Sequence, residues 1–164
     1  MRAKFIKLLS WAVKNHCIYL WGAQGEKVKN LSNEKIYKME TSRANAERVI
    51  YLIALFNAFG WISAKTRAFD CSGLICYCLV KCGLEAGGSS GFDLTADALA
   101  ERYPRTNKLK PGVLLHRKGH IGCYIGYNHL IEAKGRDYGV VVSPYKPEEW
   151  ESTFPDPFAA LPEE

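Results

Sequence analysis

Phe5, Leu8, Leu9, Ala12 and Val13 recur at helical spacing, so residues 3–15 are expected to form an amphipathic helix with one apolar face. Residues 16–25, HCIYLWGAQG, break that period and read as a turn or loop ending in glycines. Residues 26–69 read as a mostly helical block. Ser32 is placed to cap a helix running to about Met39, with Glu34 in its first turn. A stronger helix covers 45–59 and ends at Gly60. Another spans 71–83, closed by Gly83, and a short one spans 94–102 with Asp93 as its cap. From Pro111 the period becomes strand-like. Val113–His116, His120–Gly126, Leu130–Ala133 and Gly139–Ser143 read as short strands, with turns at 117–119 and 127–129. The tail from Pro144 holds five of the seven prolines, and is expected to wrap the surface around a docked Trp150. Helices first and strands second predict an α+β domain with an antiparallel sheet.

The 164 residues suit a single domain spanning 1–164 with a core of its own. The net charge of +5 favours anionic partners without choosing among them. No run of five or six basic residues occurs, which argues against nucleic-acid binding. The longest apolar run, Val49 to Phe59, is broken by Asn57 and is too short to span a bilayer. The first residues, MRAKFIKLLSWAVKN, mimic a signal peptide. However, Lys7 interrupts the apolar stretch and no small-x-small cleavage site follows. The expectation is synthesis in the cytoplasm, a monomer, and cysteines held as thiols.

Four of the six cysteines fall in FDCSGLICYCLVKC, residues 69–82. Their spacing, C-x4-C-x-C-x3-C, matches neither a zinc CxxC pair nor the common iron–sulfur runs. On a helix, Cys71, Cys78 and Cys82 fall on one side and Cys76 points elsewhere, so no tetrahedral site forms. Cys71, Leu74, Ile75, Cys78, Leu79 and Cys82 make one apolar stripe. Cys76, Cys78 and Cys82 therefore read as small core hydrophobes, and Cys17 and Cys123 also look structural. Cys71 differs because it opens the helix after Asp70. A thiol there meets the positive end of the helix dipole and free N–H groups, both of which favour the thiolate. Its own N–H can help hold an oxyanion.

A cysteine nucleophile needs a base. Of His16, His116, His120 and His129, His120 stands out, because KGHIGCYIGY sets a polar ring at the start of an apolar strand thinned by Gly122 and Gly126. Glu132 in HLIEAKG is a carboxylate inside an apolar strand. It is either a solvated edge residue or the acceptor that orients His120. For the second role it must pair with an even-numbered residue of the preceding strand. A three-residue loop at 127–129 would do this by placing Glu132 opposite Tyr124.

The order YLWGAQG, DCSGLICYC and LKPGVLLHRKGHIGCYIGYNHLIEA resembles the NlpC family of papain-like cysteine peptidases. Members of that family share Tyr-x-Trp-Gly-Gly, Asp-Cys-Ser-Gly, and Leu-x-Pro-Gly-Asp followed by Gly-His-Val-Gly-Ile-Tyr-Ile-Gly. A polar third residue follows on the next strand. The likeness covers 3–25 and 70–133. It implies a papain-like fold, with the nucleophile helix packed on an antiparallel sheet. It further implies Cys71 as nucleophile, His120 as base and Glu132 as third residue. Tyr19 would stand near the thiol, with Trp21, Asp70 and Ser72 lining or bracing the groove. No metal or other cofactor is implied. The implied substrate is a bacterial cell-wall peptide, cleaved between D-γ-glutamate and a diamino acid. Acting on the wall would require release or export by some route. EAKGRDYGVVVSP resembles a segment of phage- and prophage-encoded members, which suggests a lysin.

Three positions depart from the family pattern: Ala23 stands at the second glycine, Val113 replaces the usual Asp, and Glu132 is an uncommon third residue. The largest departure is the block at 26–69, read as a helical insertion that walls or lids the groove, or else packs outside it. Two other functions stay open. One is an amidase or acyltransferase on a non-wall amide or thioester, and the other is a non-catalytic peptide-binding module.

Overall fold

A computed structural model describes residues 1–87 and 91–162. Helix α1 (Arg2–Lys14) buries Phe5, Leu9 and Ala12, the face set by its periodicity. Strands β1 (Ile18–Tyr19) and β2 (Gln24–Lys27) follow. Helix α2 (Asn33–Met39) is capped by the Ser32 side chain, which accepts from the Lys35 N–H at 3.1 Å. Helix α3 (Arg43–Ala58) is capped in the same way by Ser42. Strand β3 (Arg67–Phe69) leads into helix α4 (Cys71–Cys82), which Gly83 closes in the left-handed conformation at φ 90°. Helix α5 (Ala96–Arg102) is capped by Thr95, whose hydroxyl accepts from the Ala98 N–H at 3.1 Å. The expected cap, Asp93, lies two residues before Thr95, and the helix starts correspondingly later.

The remaining elements are strands: β4 (Arg105–Thr106), β5 (Leu114–Arg117), β6 (His120–Gly126), β7 (His129–Gly135), β8 (Gly139–Pro144) and β9 (Phe154–Pro155). β5 to β8 form an antiparallel meander in sequence order. β1, β3 and β2 form a second sheet, with β1 parallel to the central β3, and β4 pairs with β9. The block at 26–69 thus begins and ends in strand pairing, with α2 and α3 making up most of what lies between. Its two helices bury Ile36, Val49 and Leu52 against Ile18, Leu20 and Ala68.

One face of the meander packs on α4 and α1, bringing Ile121, Cys123, Ile131 and Ala133 against Leu74, Ile75, Cys78 and Leu79. Cys76, Cys78 and Cys82 are all buried, as a helix apolar nearly all round requires. The other face holds Leu115, Tyr124 and Leu130, covered by Trp150 and Phe154 of the tail.

The hairpin of β6 and β7 decides which side chains share a face. Its loop has two residues, not three: Tyr127 and Asn128, both left-handed at φ 51° and 58°. Gly126 pairs with His129, the register then shifts, and Tyr124 pairs with Leu130 and Cys123 with Ile131. Continued by one residue, this pairing sets Glu132 opposite Gly122, not Tyr124. A Cβ on Gly122 would lie 3.3 Å from that of Glu132. Without the extra residue in β6, Glu132 would oppose Cys123 and turn toward α4. The bulge is what puts Glu132 on the face of His120.

Candidate functional site

The site begins at the N-terminus of α4. Asp70 precedes the helix, and its Oδ1 accepts from the Gly73 N–H at 2.6 Å and from the Ser72 hydroxyl at 3.3 Å. Its Oδ2 accepts from the Gly22 N–H at 2.9 Å. The Asp70 N–H in turn donates to the Ala23 carbonyl at 3.0 Å. One carboxylate thus caps the helix and holds the loop after β1 against it. Gly73 is required at this contact, because a Cβ there would overlap the Ala23 carbonyl. The side chain of Trp21 sits on this loop, half exposed, and that of Tyr19, at the end of β1, is buried.

Cys71 is half-buried, and its Sγ lies 3.9 Å from the Gly119 carbonyl. Burial and the negative charge of Asp70 push the thiol up to about 11, against opposing pulls from the Ile121 and Ser72 N–H groups. The resting group at neutral pH is therefore the thiol. The N–H groups of the helix terminus pull toward the thiolate, as the sequence suggests, but burial pulls harder the other way. Burial, with the charge of Asp70, pushes the Tyr19 hydroxyl up as well, so it remains a proton donor.

The strand that flanks the thiol carries His120 between Gly119 and Ile121. Its Nε2 lies 2.9 Å from Glu132 Oε1. Burial pushes the Glu132 carboxyl up, but the hydrogen bond from His120 and the charges of His120 and Arg117 hold it net below the ordinary range. A carboxylate accepts from Nε2–H, which leaves Nδ1 as the nitrogen able to take a proton. The expected residues therefore converge: Cys71, His120, Glu132, Tyr19, Asp70 and Ser72 lie around one helix terminus and strand end, with Trp21 at the rim.

The other histidines are engaged elsewhere. His16 stacks on Trp61 at 4.3 Å, and His129 Nδ1 donates to the Tyr127 carbonyl at 2.7 Å. His116 lies 2.8 Å from Asp97 Oδ1 and 3.0 Å from Glu151 Oε2. Asp97 Oδ1 also accepts from the Gly119 N–H at 2.8 Å, so this cluster braces the turn whose carbonyl faces the thiol. Among the described residues, no three His, Cys, Asp or Glu side chains group as metal ligands.

Three further features were not foreseen. Trp150 packs on the His120 ring, with centroids 5.6 Å apart, and the Arg117 guanidinium covers Trp150 at 4.5 Å. Arg136 makes a double hydrogen bond to Glu40 at 2.7 and 2.9 Å, and lies 5.3 Å over the Tyr19 ring. Glu40 also accepts from the Trp21 N–H at 3.2 Å, so the end of α2 grips the loop that presents Tyr19. No local pattern announces these contacts, because each joins segments far apart in the chain.

The model of the NlpC/P60 family matches residues 57–156, and the chain belongs to that family. The match includes Cys71, His120 and Glu132 and begins after Tyr19. No curated protein matches the chain. Among solved structures, the P60 domain of antigen MAP1204 from M. avium subspecies paratuberculosis is similar at a TM-score of 0.58 and 17% identity, over 94% of this chain and 93% of that one. The peptidoglycan hydrolase RipB of Mycobacterium tuberculosis gives 0.54 and 18%, over 94% and 67%. RipD of the same organism, a non-catalytic NlpC/p60 domain protein adapted to peptidoglycan binding, gives 0.57 and 14%, over 94% and 95%. These likenesses establish the papain-like α+β fold.

Proposed function

We propose that this NlpC/P60 protein is a cysteine peptidase that hydrolyses an amide bond in cell-wall stem peptides, between D-γ-glutamate and a diamino acid. The observation that carries the proposal is the His120–Glu132 pair at 2.9 Å on the strand flanking the Cys71 thiol. His120 Nδ1 takes the thiol proton as the sulfur attacks the amide carbonyl carbon. The Cys71 N–H and the Tyr19 hydroxyl hold the developing oxyanion. The carbon–nitrogen bond breaks as His120 returns the proton to the leaving amine. His120 then takes a proton from a water whose oxygen attacks the thioester carbonyl; the carbon–sulfur bond breaks, the acid leaves, and His120 returns the proton to the sulfur. Asp70 and Ser72 keep the helix terminus in place, and Trp21 forms the rim on the acyl side.

Mass spectrometry of muropeptides after incubation with wild type and with Cys71→Ala tests this reading. New fragments from the wild type alone, with masses fitting that bond, are expected. The likeness to RipD favours a second reading, in which the groove only binds wall peptide. That reading predicts binding without fragments from either protein. Cleavage of small acyl substrates but not of wall would point to an amidase or acyltransferase.

A further inference from the structure

Behind Glu132, on the face of the meander opposite α4, lies an open cavity of about 440 Å³. Its lining includes Arg117, Lys134 and Lys146 against two carboxylates, Glu132 and Glu149. Glu132 is turned to His120, and Glu149 stands 3.9 Å from Lys146. The Lys134 ammonium rests 4.7 Å over the Tyr138 ring, and Arg117 rests over Trp150. Among the described residues, neither Lys134 nor Arg117 has a carboxylate within ion-pair distance. The cavity is therefore a net cationic bowl, and its wall is the residue bound to His120.

Its side of the reaction follows from chemistry. In acyl transfer the carbonyl half is joined to sulfur, while the amine half takes its proton from the base. The leaving residue therefore lies against His120, whose partner Glu132 lines the cavity. The Tyr19–Trp21 loop and the α4 terminus are left for the acyl half.

We propose that this cavity is the subsite for a carboxylate on the leaving diamino acid, held by Lys134 and Lys146 with Arg117 at its edge. The inference rests on the peptidase reading and adds a specificity to it: free carboxylate over carboxamide on the amine side of the bond. Both lysines are exposed, so replacing them leaves the fold intact.

Calorimetry on the Cys71→Ala protein tests this with two peptides, L-Ala-γ-D-Glu-meso-diaminopimelate and the same peptide amidated on diaminopimelate. The free acid is expected to bind about tenfold more tightly. In Cys71→Ala with Lys134→Ala and Lys146→Ala that preference should fall to about twofold or less, with the amidated peptide unaffected. Equal affinity of the two peptides for Cys71→Ala, or no binding of either, overturns the subsite. The muropeptide experiment reports separately on the peptidase reading. Cys71-dependent cleavage with equal affinities removes the subsite alone, whereas a carboxylate preference without cleavage removes the peptidase alone.

Discussion

His120 and Glu132 meet at 2.9 Å because β6 carries one residue more than its partner strand needs. The tight Tyr127–Asn128 loop would by itself set Glu132 opposite Cys123, in the core. The bulge moves it to Gly122, and the absent side chain there leaves room for the carboxylate. Glu132→Gln keeps an acceptor for Nε2–H but removes the charge that stabilises imidazolium, and so should lower kcat about tenfold. Glu132→Ala removes both and should lower it about 100-fold. KM should move less than twofold in either variant. Steady-state hydrolysis of a stem peptide checks this, and an unchanged kcat in Glu132→Ala would remove the residue from the triad.

Thiol chemistry gives a second expectation. Cys71 is the half-buried cysteine, while Cys17, Cys76, Cys78, Cys82 and Cys123 are buried. Iodoacetamide should therefore modify the folded protein once, at residue 71, as peptide mapping would report. With its thiol pushed up to about 11, Cys71 is mostly protonated at pH 7. In His120→Ala its alkylation should speed up steadily with pH toward about 11. The wild type should react faster near neutrality, because His120 accepts the proton.

Trp150 is expected to act through His120. Its ring fixes one face of the imidazole and is itself held by Arg117. Trp150→Ala should destabilise the fold by about 3 kcal/mol and lower kcat about tenfold. Trp150→Phe should recover most of the kcat, because a flat ring still backs the imidazole. Denaturant unfolding and kcat, measured on both variants, separate the two effects.

The parts of this architecture legible in the sequence are those with a repeating pattern. The apolar stripe of α4, with Asp70 before Cys71, marked the helix and its reactive end, and alternation marked all four strands of the meander. β1, β2 and β3 escaped because two to four residues carry no period. Their pairing is fixed by β1–β3–β2 backbone hydrogen bonds and by the Asp70 bridge to Gly22. Thr95 displaced Asp93 as a cap because the apolar face of α5 begins at Ala96. The parity of Glu132 was legible, but its partner was not, since a three-residue loop and a two-residue loop with a bulge serve that parity equally. The reach of Arg136 to Glu40 spans 96 positions and has no local trace.

That long-range pair gives the last expectation. The Glu40 side chain is fully buried and carries a charge satisfied by Arg136 and by the Trp21 and Thr41 N–H groups. Burial pushes its carboxyl up, but those partners hold it net below the ordinary range. A lowered folded-state value means the stabilisation is complete above the unfolded value of about 4.3 and is lost as pH falls through the lower folded one. Glu132 has the same sign. Wild-type stability, followed by urea unfolding, should therefore hold down to about pH 5 and fall below about pH 4. Arg136→Ala strands a buried carboxylate and should cost about 3 kcal/mol at pH 7. Part of that cost should return on acidification, as Glu40 takes a proton and ceases to need a partner. Arg136→Ala combined with Glu40→Gln should be more stable at pH 7 than Arg136→Ala alone. If it is not, the pair is not what holds the end of α2 to the Tyr19 loop.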